Sequence, residues 1–236
     1  MRLEPSDPVA VEVTRAIKSG DLETLRRLLR DHPDLAGASI QGRKGGSRTL
    51  LHLATDWPGF FLNAPAVALT ILTAGADVNA TTEGDRPETP LHWAASTDDV
   101  DVAEVLIDAG ANLNTPGGSI GTQLDNAIGY SCWAVARLLV QRGAPVERLW
   151  HAAALGILPR LEELLAAEPT SEQVNQAFWH ACQGGRRRAA ELLLARGADI
   201  NFVPDYAGGT TPLGAVTGVG TRRDLLATWL RERGAT

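Results

Sequence analysis

Glu88-Thr89-Pro90-Leu91-His92-Trp93-Ala94-Ala95 is the stretch whose reading decides the fold. Thr89 carries the short hydroxyl that caps a helix start, and Pro90 suits the first helical position, where the missing N–H is not needed. Leu91, Ala94 and Ala95 recur at three- and four-residue spacing, which puts them on one buried stripe. Eighteen residues after His92 comes Gly110-Ala111-Asn112-Leu113-Asn114. Its glycine provides the left-handed stop that a second helix needs.

The same two signals recur along the chain, and alignment on them gives seven units. The first runs from Val9 to Asp31. The second opens Thr49-Leu50-Leu51-His52-Leu53-Ala54 and closes Gly75-Ala76-Asp77-Val78-Asn79. The third is the unit around His92. The fourth opens Thr122-Gln123-Leu124-Asp125-Asn126-Ala127 and closes at Gly143-Ala144. The fifth runs from Leu149-Trp150-His151-Ala152-Ala153 to Glu168, and the sixth from Phe178-Trp179-His180-Ala181-Cys182 to Gly197-Ala198-Asp199-Ile200-Asn201. The seventh runs from Thr211-Pro212-Leu213 to Gly234-Ala235. Thr-Pro-Leu-His-x-Ala-Ala followed by Gly-Ala-Asp/Asn-x-Asn resembles the ankyrin repeat, and the 33 residues from Gly110 to Gly143 match its period.

The resemblance implies an all-α solenoid of helix–turn–helix units with short β-hairpin fingers. The expected organisation is a flexible start over residues 1–8 and one ankyrin-repeat domain over 9–236. Gly143 to Glu168 is 25 residues and Glu168 to Gly197 is 29, so fingers around the fifth unit should be shortened. Unit two is long instead, with Pro58-Gly59-Phe60-Phe61-Leu62 inserted after Trp57. A solvated loop should be polar, so this one should pack on something.

Composition narrows the classes. The formal charge of −6 and pI near 5.4 argue against a nucleic-acid binder, which needs a basic stripe. No apolar run approaches the ~20 residues of a membrane span, and the opening lacks an apolar signal core, so a cytoplasmic protein is expected. Cys132 and Cys182 do not make a disulfide framework, and neither sits in a Cys/His/Asp arrangement for catalysis. No His/Cys/Asp/Glu cluster has metal-ligand spacing, so neither metal nor cofactor is expected. Lysine occurs only at Lys18 and Lys44, and arginine carries the remaining positive charge, a usage that suggests a bacterial, high-GC genome.

A helical wheel on each first helix puts a ladder of side chains toward the concave face. Its rungs are Arg15, Lys18 and Ser19; Leu53, Asp56 and Trp57; Trp93, Ser96 and Thr97; Asn126, Gly129 and Tyr130; His151, Ala154 and Leu155; His180, Gln183 and Gly184. Trp57, Phe60, Phe61, Trp93 and Asn126 are the candidate ligand-binding residues, because apolar walls with a few placed polar groups suit a small molecule and equally the centre of a protein interface. His151 and His180 repeat one Trp-His-Ala triplet in adjacent units and could move protons. Asp125 stands in the slot that His52 and His92 fill, where the resemblance implies a hydrogen bond to the neighbouring hairpin. It is either drift or a carboxylate able to orient an imidazole. Tyr130 or Asn126 could donate to developing oxyanion charge. Gly42-Arg43-Lys44-Gly45-Gly46-Ser47 lacks the context of a phosphate loop and reads as a finger tip, and Arg186-Arg187-Arg188 reads as a solvated helix face.

Two functions remain open. The resemblance implies a binding protein, recognising a protein partner or an amphipathic small molecule through its groove. The alternative is a metal-free enzyme of secondary metabolism, doing dehydration, isomerisation or cyclisation with His151, His180, Asp125 and Tyr130. The Phe60-Phe61 loop discriminates: folded over the groove it is a lid, and turned outward it is an apolar patch for a protein.

Overall fold

The computed structural model describes residues 1–42, 46–216 and 220–236. Arg43, Lys44 and Gly45, expected at a finger tip, lie outside the described residues. The chain is mostly helical and divides into two compact units, Met1–Ala144 and Pro145–Thr236.

The first unit opens with strand β1 (Arg2–Leu3), within the stretch expected to be a flexible lead-in, followed by helices α1 (Pro8–Ser19) and α2 (Leu22–Asp31). Strands β2 (Ser39–Gln41) and β3 (Ser47–Thr49) form an antiparallel hairpin, and β1 adds to β2 in parallel. The small sheet is an addition to the all-α expectation. Three further helix pairs follow: α3 (Leu50–Ala54) with α4 (Ala64–Thr73), α5 (Pro90–Thr97) with α6 (Val100–Asp108), and α7 (Gln123–Gly129) with α8 (Trp133–Gln141). First helices pack in series, α1 on α3, α3 on α5 and α5 on α7, and α2, α4, α6 and α8 do the same. Leu51, Leu91, Ala94, Ala95, Leu106 and Leu124 are fully buried in this unit. Each large aliphatic contributes roughly 1.5–3 kcal/mol by leaving water.

The second unit holds α9 (Leu149–Leu155), α10 (Leu158–Leu165), α11 (Ser171–Gln183), α12 (Arg187–Ala195), α13 (Pro212–Ala215) and α14 (Thr221–Arg231). Residues 166–170 alone join α10 to α11, which leaves no room for a finger. Helix α11 starts at Ser171, upstream of the Phe178 that opened the sixth unit in the sequence alignment, because Thr170 and Gln173 cap it. Phe178, Leu161, Leu193 and Leu226 share one core with Trp229.

Two features of the repeat motif tie neighbours together. Asn79, the last residue of Gly-Ala-Asp-Val-Asn, accepts from the Asn112 amide at 2.8 Å and donates to the Gly110 carbonyl at 3.3 Å. Asn201 does the same in the second unit, accepting from the Thr236 amide at 2.9 Å. At the turn after α1, Gly20 has φ 68° and a Cβ there would stand 2.1 Å from the Leu62 carbonyl oxygen. We therefore expect Gly20→Ala to cost more than about 2 kcal/mol, since both the left-handed backbone and the close approach are lost. Chemical denaturation reads this directly, and an unchanged midpoint would show that the loop does not press on the turn.

Candidate functional site

Four of the first helices, α3, α5, α7 and α11, begin with a shared local device. The amide of the capping threonine has no helical acceptor, and the side chain three residues on supplies one. Thr49 N donates to His52 Nδ1 at 3.2 Å, and Thr89 N to His92 Nδ1 at 3.0 Å. Thr122 N donates to Asp125 Oδ2 at 2.7 Å, and Thr170 N to Gln173 Oε1 at 2.9 Å. Asp125 therefore replaces histidine as a capping acceptor. Its carboxylate takes the Thr122 hydroxyl as well, at 3.1 Å, so helix capping is a role of Asp125 that the sequence reading did not include.

His52 uses its second nitrogen across repeats. With Nδ1 accepting, Nε2 carries the proton and donates to the Glu88 carbonyl at 2.8 Å. Glu88 is a junction that the sequence reading did not single out. Its Oε2 accepts from Trp93 Nε1 at 2.8 Å, and its Oε1 accepts from the Ser119 amide at 2.8 Å and from Asn126 Nδ2 at 3.4 Å. Trp93 is five residues on, but two further partners, Ser119 and Asn126, lie 31 and 38 residues along the chain, beyond the reach of a local signal.

The ladder read from the helical wheel is covered at six of its eighteen positions, while Arg15, Lys18, Ser19, Trp57 and Tyr130 are exposed. Leu53, Asn126, His151, Ala154, His180 and Gln183 are buried. Asn126 accepts from the Ile120 amide at 3.1 Å, so the segment ahead of α7 lies over it, and its expected place as a ligand contact becomes an internal one. Trp93 is half-buried with its indole N–H on Glu88. Tyr130 is exposed, its hydroxyl donating to Ser119 Oγ at 3.1 Å. A wheel on an isolated helix cannot register segments that fold back over it.

The aromatic loop turns outward. Trp57 is 79% exposed, Phe60 67% and Leu62 69%. The backbone beneath them is fixed. The Phe60 amide donates to Asp99 Oδ2 at 2.8 Å, and Asn63 Nδ2 donates to the Gly20 carbonyl at 3.1 Å. Phe60 and Asn63 hold φ of 54° and 56°, in the left-handed region that costs a non-glycine residue on the order of 1–3 kcal/mol. Phe61 is half-buried, with Lys18 Nζ 5.7 Å from its ring centre.

In the second unit the two histidines belong to one aromatic row. Trp150 stacks on His180 with centroids 4.7 Å apart, and His180 stacks on Tyr206 at 6.0 Å. Trp150 also meets His151 edge-on at 4.3 Å. His180 Nδ1 is 2.8 Å from Gln183 Oε1 and Nε2 is 3.1 Å from the Tyr206 hydroxyl. Because the amide oxygen only accepts, Nδ1 carries the proton and Nε2 receives the Tyr206 O–H. Tyr206 sits on a short turn, Asp205–Ala207, that the sequence reading passed over.

Burial sets the titration of these groups. It holds His52 and His180 down at about 4, against an ordinary 6.5, and lowers His92 as well. Burial pushes the Cys132 thiol up to about 11, with Asp98 adding to the effect, and raises Cys182 further, so both thiols stay protonated. Tyr206 is raised to about 12 by burial, with Glu172 nearby. Among the described residues no three His, Cys, Asp or Glu side chains gather to hold a metal ion, and no helix is long and apolar enough to cross a membrane.

With this geometry in place, comparison with known proteins is consistent in one direction. The ankyrin repeat family matches residues 88–117. An ankyrin repeat and KH domain-containing protein of Caenorhabditis briggsae is 26% identical over 194 residues, 72% of this chain and 7% of that protein. A palmitoyltransferase of Neurospora crassa, akr1, is 39% identical over 74 residues, 31% of this chain and 10% of that protein. The chain thus spans a tenth or less of the length of these two relatives. Residues 88–117 thus resemble an ankyrin repeat, and ankyrin repeats serve protein–protein interaction in general.

Two outcomes follow from the capping and burial. Asp125→Ala should lower stability by about 1 kcal/mol, the usual loss of a capping contact, read by chemical denaturation. For His52 and His180, the unfolded chain takes up protons below pH 6.5 while the fold refuses them until about 4. Stability is therefore complete above pH 6.5 and lost as the pH falls toward 4, by up to about 3 kcal/mol per imidazole. A melting temperature that stayed flat over that window would mean the imidazoles protonate freely in the fold.

Proposed function

We propose that the chain is a protein-binding scaffold, a solenoid of stacked helix pairs, and that the loop from Trp57 to Leu62 supplies its apolar anchors. The exposure of Trp57, Phe60 and Leu62 within six consecutive residues carries this reading. Large apolar side chains gain most from burial in a partner, and Trp in particular dominates interface energetics. The loop is already ordered by Asp99 and Gly20, so binding does not have to repay the entropy of fixing it. Its outward direction is the arrangement expected of a patch for a protein, not of a lid over a small molecule.

The acid–base alternative on His151, His180, Asp125 and Tyr130 lacks an observation in its favour. Asp125 caps its own helix, and His180 has both nitrogens engaged within the fold. The test is capture of host proteins on immobilised wild-type chain and on the Trp57→Ala, Phe60→Ala double variant. A partner held by the first and released by the second, with melting temperature unchanged, is the expected result. Identical sets of captured proteins would place the interface elsewhere.

A further inference from the structure

The second unit carries ten arginines against ten carboxylates, so the formal charge of −6 falls entirely in the first unit. Within this neutral unit the arginines are not evenly spread. A hollow of about 840 Å³ is lined by Arg186, Arg187 and Arg188 at the start of α12 and by Arg222 at the start of α14, with Leu158 and Leu225 in its apolar wall. Glu191 is the one carboxylate lining it among the described residues, and Arg187 uses it at 2.9 Å. Arg187 is further placed by the Trp229 ring, 5.7 Å away.

The arginines are held by their surroundings. Arg186 Nε donates to the Ala154 carbonyl at 3.1 Å, and its stem lies on Gly156, where a Cβ would stand 3.0 Å from Arg186 Cδ. Arg223 repeats the arrangement one pair later, donating to the Gln183 carbonyl at 3.1 Å with its stem near Gly185. Arg188 and Arg222 are exposed, and neither has a carboxylate partner among the described residues. Like charges gathered in one hollow repel, and an anion entering it relieves that cost while accepting paired hydrogen bonds from the guanidinium forks.

We propose that this hollow docks an acidic segment of a partner protein, with its carboxylates on Arg188 and Arg222 and an apolar side chain against Leu158 and Leu225. Charge complementarity selects the acid. The two leucines select a peptide over a bare anion, since a phosphate gains nothing from an apolar wall. Outside the hollow the unit carries six arginines against nine carboxylates, so it offers no basic track for a nucleic-acid backbone to follow.

The test is fluorescence anisotropy of a labelled short Glu/Leu peptide with the full chain at low ionic strength. The expected result is binding that Arg188→Glu with Arg222→Glu weakens about tenfold or more and that added salt weakens steeply. Leu225→Ser, which leaves the charge intact, should weaken it several-fold. Arg26→Glu with Arg30→Glu, in the first unit, should leave it unchanged, as should Trp57→Ala with Phe60→Ala. The proposal is overturned if the peptide does not bind or if its affinity survives reversal at Arg188 and Arg222. It is equally overturned if the Arg26 and Arg30 reversals cost as much, which would mean general electrostatics. Inorganic phosphate, an all-Glu peptide or an oligonucleotide binding as tightly as the Glu/Leu peptide would likewise defeat it.

Discussion

An unpaired amide at the start of four first helices, α3, α5, α7 and α11, is the constraint on which much of this structure depends. The capping threonine cannot satisfy its own N–H, and the third helical residue must do so. Histidine, aspartate and glutamine all appear in that role, at His52, His92, Asp125 and Gln173. They are equivalent as acceptors and unequal otherwise. Aspartate has no donor left once it accepts, whereas an imidazole that accepts at one nitrogen keeps an N–H at the other. His52 spends it on the Glu88 carbonyl, 36 residues along the chain. One side chain thereby closes its own helix start and fixes the approach to the next. That double use requires the neutral ring, which is the form that burial favours.

Glu88 extends the same economy. Its carbonyl receives His52 while its carboxylate gathers Trp93, Ser119 and Asn126. The segment ahead of α7 is thus held down by a charged acceptor, and charge-assisted bonds of this kind are about twice as strong as neutral ones. With Asn126 committed to the Ile120 amide as well, the surface there is a closed hydrogen-bonded layer. The three most exposed large apolar side chains of the first unit, Trp57, Leu62 and Phe60, lie on the Trp57–Leu62 loop, whose left-handed Phe60 is maintained by Asp99.

What the sequence makes legible follows from the range of each interaction. Thr89-Pro90-Leu91-His92 and Gly110-Ala111-Asn112 act within one turn of their own helices, and their meaning survives translation into structure unchanged. The helix-cap role of Asp125 was legible in principle, since Thr122 stands three residues before it, yet the position reads as drift or as an orienting carboxylate when it is compared only with His52 and His92. The burial of Asn126 and His180 depends on segments that fold back over them, and a helical wheel contains no such term. Tyr206 reaches His180 from 26 positions away, and the upstream start of α11 needs Thr170 and Gln173 to be read as a pair. The outward turn of the aromatic loop is set by Gly20 and Asp99, one before the loop and one after it, so its direction could not be read from the loop alone.

Those same turns explain why the two units present different surfaces. Where a first helix ends, its last carbonyls need donors that the helix cannot provide. In the first unit the long loop supplies one, Asn63 Nδ2 on the Gly20 carbonyl, and brings aromatic side chains with it. In the second unit there is no inserted loop, and the following helix pair supplies arginines instead, Arg186 on the Ala154 carbonyl and Arg223 on Gln183. A backbone need that is the same in both places is met once by a neutral amide and twice by a guanidinium. The amide is consumed by its single bond. The guanidinium brings a full positive charge and four more donors than the carbonyl uses. Charge at the start of α12 is therefore a consequence of how these turns are closed, and it becomes a binding feature only where Arg188 and Arg222 add guanidinium groups that the turns themselves do not require.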